Sequence, residues 1–372
     1  MENMEITFNE YLIERLYEID SIKETTTQIQ SIDYTQSGTQ MLIASKDYIV
    51  IYDIENFIKL EDFSCQFQGV SFALFSCNSE CIVFSGSLDN SINILNRQTK
   101  NITHTLYGHK KNIGKMCINY KQNILLSTDD NNETIIWDLN KNEAICMFKL
   151  SLCGTFDYHG LVIANVNIIP LNHNDDNNNK SLLNDEDDDD ESIDELFDDN
   201  GVDEINHSSS NNNNKNIPSM NDSCICLYTI IHDHNNKKIG KCFKKLNVIK
   251  GEITKVQFTN TNKYLICLQY NSISVYDIES SLIINIIKSK QNISYKTFDL
   301  SPDSQYIGIA CNNGMAIFTK IAEHSKEIKR YNHLNQCNCI KFNPVYAVIT
   351  TADDIVVMME PDFDNKRQLI TN

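Results

Sequence analysis

Short runs rich in Val, Ile, Tyr, Phe and Cys alternate along this chain with clusters of Gly, Asn, Asp and Ser. Beyond the N-terminal region almost no stretch keeps a 3.6-residue period for more than two turns, so the pattern predicts an all-β protein of short strands. Aligned on their apolar ends, the runs form a repeat: a strand, a polar turn of about five residues, a second strand, a turn, then a third strand that often ends in an aromatic residue and Asp. The anchors are Tyr34, Phe75, Ile118, Phe156, Phe258, Leu300 and Phe342, separated by 41, 43, 38, 102, 42 and 42 residues. A period near 42 with one outsized gap means seven units, the fourth of them interrupted. Setting aside 168–222 leaves 317 residues, or about 45 per unit, the size of a four-stranded propeller blade. The pattern therefore predicts a seven-bladed β-propeller over residues 9–361, with a tail at 362–372.

A propeller must close, because open first and last blades would expose unpaired strand edges. The last unit supplies three strands, Cys337–Phe342, Ala347–Thr351 and Asp354–Met359, so a fourth must come from elsewhere. Tyr11–Ile19 is the expected donor, with Tyr11, Ile13, Tyr17 and Ile19 on one face at period two; Leu12, Leu16 and Ile19 also fit a short helix.

The interruption changes how the charge is understood. The chain of 372 residues carries a formal charge of −18, which argues against nucleic acid or an anionic membrane as the main partner. Residues 168–222 hold 16 Asp/Glu and two Lys, so the remaining 317 carry only about −4. The insert is Asn- and Asp-rich and nearly free of aromatic residues, which predicts a disordered loop between the second and third strands of the fourth unit. Within it, Ser192 is set among carboxylates with Glu195 three residues on, a candidate site for acidophilic kinases of the casein-kinase type. No window offers the ~18 consecutive apolar residues of a membrane span, and Met1–Asn9 lacks the features of a secretory signal. Thirteen scattered cysteines without a framework spacing fit buried thiols in a reducing compartment, cytosol or nucleus.

Catalytic motifs are missing. There is no Gly-x-Ser-x-Gly elbow, phosphate-binding Gly-rich loop, dinucleotide fingerprint or His-Glu-x-x-His, and the expectation is a non-enzyme without cofactor. The best metal-like cluster is Cys224-x-Cys226 with His232-x-His234. Residues i and i+2 of a strand share a face without converging on one point, so no zinc site is expected there.

The third strands end Tyr52-Asp53, Trp137-Asp138 and Tyr276-Asp277, and Gly108-His109 precedes Trp137 within one unit. Asp89, Asp129 and Asp130 fall in the turns between second and third strands. These residues together resemble the WD-repeat β-propeller family. The resemblance implies that His109, Ser127 or Thr128, Asp130 and Trp137 form a hydrogen-bonded set within a blade, a structural role rather than a catalytic one. Further stretches narrow it: Phe67-Gln-Gly-Val-Ser-Phe-Ala-Leu-Phe75, Ser85-Gly-Ser-Leu-Asp-Asn-Ser-Ile92, Thr155-Phe-Asp-Tyr-His-Gly-Leu161, Leu300-Ser-Pro-Asp-Ser304 and Cys339-Ile-Lys-Phe-Asn-Pro344. In order and spacing they are similar to the WD-repeat subunit family of COMPASS, the Set-domain histone lysine methyltransferase complex.

That resemblance implies a non-catalytic nuclear scaffold, with a cytosolic pool allowed. Its partners would be a Set-domain methyltransferase with companion subunits and the phosphorylated tail of RNA polymerase II, with a link to transcription termination. It implies no direct nucleic-acid contact and no membrane. Two alternatives are weaker. A phosphoinositide-binding propeller needs adjacent arginines, which the chain lacks. A ubiquitin-ligase substrate receptor would carry an arginine two residues after the Trp-Asp, where this chain has Asn140.

Overall fold

The computed structural model describes residues 9–362 apart from 24–26, 170–221, 233–237, 247–248, 250, 290–292, 322–326 and 333–335. Seven four-stranded antiparallel sheets follow one another as blades. The anchors found from the repeat mark the same place in every blade: six end the first strand, and Ile118 is the penultimate residue of its own, Ile113–Asn119. The first strands of blades 1 to 5 lie side by side, as do those of blades 6, 7 and 1, and blade 5 meets blade 6 through its second strand. The result is a closed ring.

The core sits between blades. Leu42 and Ile51 of blade 1 pack with Phe75 and Phe84 of blade 2, and Leu74, Val83 and Ile94 of blade 2 pack with Ile118, Leu125 and Trp137 of blade 3. Each sheet buries both faces, which is why second and third strands read as continuous apolar runs such as Met41-Leu-Ile-Ala44 and Ile49-Val-Ile51. Fourth strands are the outer edges and stay largely exposed, as Ile58–Ser64 and Leu282–Lys288 show.

Blade 7 is completed by Leu16–Ile22, which pairs antiparallel with Val356–Pro361 from Leu16 opposite Pro361 to Ile22 opposite Val356. The expected strand over Tyr11–Ile19 is thus corrected. Glu10–Glu14 forms a short helix, its first turn capped by Asn9 Oδ1 accepting from Leu12 N–H at 2.9 Å. Of the helical stripe only Leu12 lies in this helix, where it is buried beside Ile13; Leu16 and Ile19 belong to the strand, which starts at Leu16. Tyr17 faces outward and donates from its hydroxyl to Glu360 at 2.7 Å.

In blade 4 the second strand, Val162–Ile169, and the third, Asp222–His232, pair as far as Ile169 opposite Asp222. Ile168, Ile169 and Asp222, assigned to the insert from composition, therefore belong to the sheet. The expected disorder of the insert and the candidate phosphosite Ser192 fall in 170–221, and most of the expected tail in 363–372, outside the described residues.

Candidate functional site

Blade 3 carries the one polar cluster that the sequence singled out. Ser127 and Asp129 are two apart on the second strand, Ile124–Asp129, and so share a face. Trp137 stands on the third strand, Thr134–Asp138, opposite Leu125. His109 comes from the connection between blades 2 and 3. Its Nε2 lies 2.7 Å from Ser127 Oγ, the Trp137 indole N–H donates to the same oxygen at 2.8 Å, and His109 Nδ1 lies 3.1 Å from Asp129 Oδ2.

One proton arrangement uses every group once. The indole N–H donates to Ser127, the Ser127 hydroxyl donates to Nε2, and the Nδ1–H points at Asp129. That arrangement needs a neutral imidazole, and burial does hold the His109 pKa below its usual value, with Asp129 opposing. Gly108 completes the fit, because a Cβ there would lie 3.0 Å from the Trp137 ring.

The carboxylate in this cluster is Asp129, and the expectation of Asp130 is corrected. Asp130 follows the strand, points off the shared face and is exposed. Asp129 is buried and does two jobs: Oδ1 accepts from Asn131 N–H at 2.9 Å and Glu133 N–H at 3.0 Å, fixing the turn, while Oδ2 meets His109. Of the alternatives Ser127 and Thr128, the structure selects Ser127. Thr128 instead bonds Thr134 at 2.7 Å, and Thr134 reaches Ser151 of blade 4, also at 2.7 Å.

The aspartates that end the third strands share a different task. Asp53 accepts from Glu55 and Asn56 N–H at 2.8 and 3.1 Å, Asp138 from Asn140 N–H at 3.0 Å, and Asp277 from Ser280 N–H at 2.8 Å. Each caps the turn into its fourth strand, where Phe57, Asn142 and Ser281 adopt positive φ. The bonds from Asn56 and from Ser280 hold the Asp53 and Asp277 carboxyls below the usual range. Tyr52 and Tyr276 occupy the Trp137 position of blades 1 and 5 and are buried.

Sequence reasoning missed a second polar set, on the first strands. Asp33 Oδ2 accepts from Phe75 N–H of the next blade at 2.9 Å, and Asp299 Oδ2 accepts from Phe342 N–H at 2.9 Å. Ser31 bonds both backbone groups of Ala73, Lys115 donates to the Leu152 carbonyl at 2.9 Å, and Lys255 donates to that of Phe298. These side chains latch the inner strands of blades 1 and 2, 3 and 4, 5 and 6, and 6 and 7 by satisfying backbone groups that no ladder reaches. Burial pushes the Asp33 carboxyl up to about 6, with Lys341 opposing, and pushes Lys255 down to about 8. A signal was available: Asp33 and Asp299 each stand one residue before an anchor.

Cys224 and Cys226 lie on the third strand of blade 4, and His232 ends that strand. His234 falls outside the described residues, and among those described no group of three or more ligands could hold a metal. All thirteen cysteines are free thiols. No helix of the described residues is long and apolar enough to cross a membrane.

Residues 100–138 match the family model for the WD domain, G-beta repeat. That segment runs from the fourth strand of blade 2 through the third strand of blade 3, so it takes in the whole His109–Ser127–Asp129–Trp137 cluster. The chain is also similar to WD repeat-containing protein 82 of Drosophila melanogaster, at 27% identity over 148 residues, covering 38% of this chain and 46% of that protein. It thus spans about half the length of the curated relative it matches. Ring, cluster and matched segment together make this chain a seven-bladed β-propeller that carries a WD repeat through its third blade.

Proposed function

We propose that this propeller is a non-catalytic scaffold subunit of a nuclear chromatin-modifying complex of the COMPASS type, holding a Set-domain histone lysine methyltransferase near chromatin transcribed by RNA polymerase II. Propellers of this kind mediate protein–protein interaction through loop tips on a rigid ring, and the likeness to WD repeat-containing protein 82 supports that class of role. One observation carries the narrower reading: the Phe156-Asp-x-x-Gly-Leu161 stretch, the most particular of the five that carry the COMPASS resemblance, is a built surface feature. Asp157 Oδ1 accepts from Leu161 and Val162 N–H, both at 2.6 Å, and Oδ2 accepts from Asn262 of blade 5 at 2.7 Å. Gly160 has φ +73°, and a Cβ there would lie 2.5 Å from Asn119 Oδ1, so the turn is closed against blade 3 by a glycine. Tyr158 and Leu161 are left exposed on a turn tied to both neighbours.

Affinity purification of the tagged chain from nuclear extract at moderate salt tests the proposal. Recovery of a Set-domain methyltransferase with companion subunits is expected, and the phosphorylated polymerase tail is expected among the weaker partners. Recovery of ubiquitin-ligase components alone would move the scaffold to another complex.

A further inference from the structure

The links from each fourth strand to the next first strand, and from each second strand to the third, emerge on one rim of the ring. Phe67, Tyr107 and Leu88 are 92%, 73% and 65% exposed, the three most exposed large apolar side chains among the described residues. All three sit on this rim, on consecutive connections of blades 1 to 3. Chance exposure of single apolar residues is ordinary, but a contiguous cluster marks an interaction surface.

The connections bearing them are tied together. Val70 N–H donates to the Lys46 carbonyl at 2.7 Å, Leu88 N–H to the Gln68 carbonyl at 2.9 Å, and Asn90 Nδ2 to the Lys110 carbonyl at 3.3 Å. Ser71 bonds Asn112. Gly69, at φ +64°, lets the turn bearing Leu88 close in, since a Cβ there would collide with Ser87 Oγ and lie 3.3 Å from Leu88 Cγ. His109, locked into the blade-3 cluster, fixes the connection that displays Tyr107. The surface is therefore held in place before any ligand arrives.

Charge points to one class of ligand. Lys46, Lys110 and Lys111 are exposed on these connections and make no ion pair among the described residues, whereas Lys59, Lys100 and Lys141 on the outer strands and opposite rim each face a carboxylate at 3.5–3.9 Å. Of the carboxylates nearby, Asp89 is engaged by the Ser91 N–H and hydroxyl at 3.1 and 2.7 Å, Asp47 is half-buried, and Asp130, whose N–H donates to the Asn112 carbonyl at 3.0 Å, is exposed on the same rim, so the three lysines outnumber the one exposed carboxylate left uncommitted among the described residues. Uncommitted ammonium groups beside exposed aromatic and aliphatic side chains complement carboxylates flanking an apolar anchor.

We propose that the blade 1–3 rim is a docking surface for a short acidic peptide that lays an aliphatic or aromatic side chain against Phe67, Leu88 and Tyr107 while its carboxylates meet Lys46, Lys110 and Lys111. The inference rests on the adaptor reading and gives that adaptor a face. Selection of a phage-displayed random peptide library on the purified full chain tests it. The expected enriched sequences place Asp or Glu around Leu, Ile, Phe, Tyr or Trp. A synthetic peptide of the enriched sequence should bind at least tenfold more weakly to Phe67→Ser/Leu88→Ser and several-fold more weakly to Lys110→Glu/Lys111→Glu. Raising salt from about 50 to about 300 mM should weaken it several-fold, and Leu282→Ser/Ile286→Ser on the exposed outer strand of blade 5 should change nothing. All these positions are exposed, so thermal unfolding of each variant should match the parent. Enrichment of basic peptides, binding indifferent to the rim variants, or no enrichment at all overturns the proposal. If Phe67→Ser/Leu88→Ser still recovers the nuclear complex, the scaffold reading stands and this surface falls; if the peptide binds the rim but no methyltransferase is recovered, the reverse holds.

Discussion

Blades 3 and 5 are built on the same backbone plan and filled differently. Trp137 of blade 3 faces Leu125 across the ladder, and Tyr276 of blade 5 faces Leu265 at the same place. Two residues further along the second strand, blade 3 has Ser127 and blade 5 has Cys267; two more on, Asp129 against Gln269. Both blades end the third strand in an Asp that caps the next turn. The polar cluster is thus an addition to the blade and not a condition for it. A buried thiol and a buried phenol, whose pKa values desolvation drives upward, fill the same space as the hydrogen-bonded set. What blade 3 gains is a fixed connection, since His109 anchors the segment from Tyr107 to Lys111 to the sheet beneath it.

The comparison breaks most sharply at the aromatic position. Trp137→Ala should cost about 3–5 kcal/mol, because it leaves a cavity and strips Ser127 of a donor. Tyr276→Ala should cost a similar amount through the cavity. The two part in a second readout: hydrogen exchange of the 107–112 backbone should accelerate in Trp137→Ala and stay unchanged in Tyr276→Ala. Equal effects there would mean that the cluster does not hold the connection.

A smaller effect tests which carboxylate belongs to the cluster. Asp129→Ala removes two turn bonds and the partner of His109 Nδ1, and should lower stability by about 2–4 kcal/mol in urea unfolding. Asp130→Ala, at an exposed position, should stay within about 0.5 kcal/mol. The reverse ranking would restore the assignment made from the sequence.

Asp129 and Asp130 also show where reading a sequence stops. Blade number and the first-strand ends were legible because apolar periodicity and a 42-residue spacing are carried by many residues at once. Choosing between adjacent aspartates needs the strand end to within one residue, since a one-residue shift puts a side chain on the opposite face. The same limit explains the N-terminal segment, where Tyr11, Ile13, Tyr17 and Ile19 suit a strand and Leu12, Leu16 and Ile19 suit a helix, and the chain divides between the two at Arg15. The first-strand latches were hidden for another reason: their partners are backbone groups of the next blade, some 42 residues away, and no side-chain pattern reports them.

The smallest effect is a pH dependence that separates the latches from the cluster. The Asp33 pKa is raised to about 6 in the folded chain, against about 3.9 in an unfolded one. A carboxyl raised on folding binds its proton more tightly in the native state, so its contribution to stability grows as pH falls from about 6 toward about 4. His109 runs the other way. Its folded pKa is lowered, so the unfolded chain takes the proton first and stability is lost as pH drops below about 6.5. In the whole protein the two slopes oppose each other, and the lowered Asp53 and Asp277 carboxyls add to the His109 side, so a bare pH titration of stability does not separate them. Asp33→Asn resolves them, because Asn keeps a carbonyl oxygen to accept the Phe75 N–H and loses the buried charge. At pH 8 the variant should equal or exceed the parent in stability, by about 1–3 kcal/mol. The gap should narrow as pH falls from about 6 and close below about 4, where Asp33 is protonated in both folded and unfolded chains. His109 is present in both proteins and cancels in the difference. A gap that is constant with pH would mean that the inner-strand carboxylate is not desolvated, and that the latch works by hydrogen bonding alone.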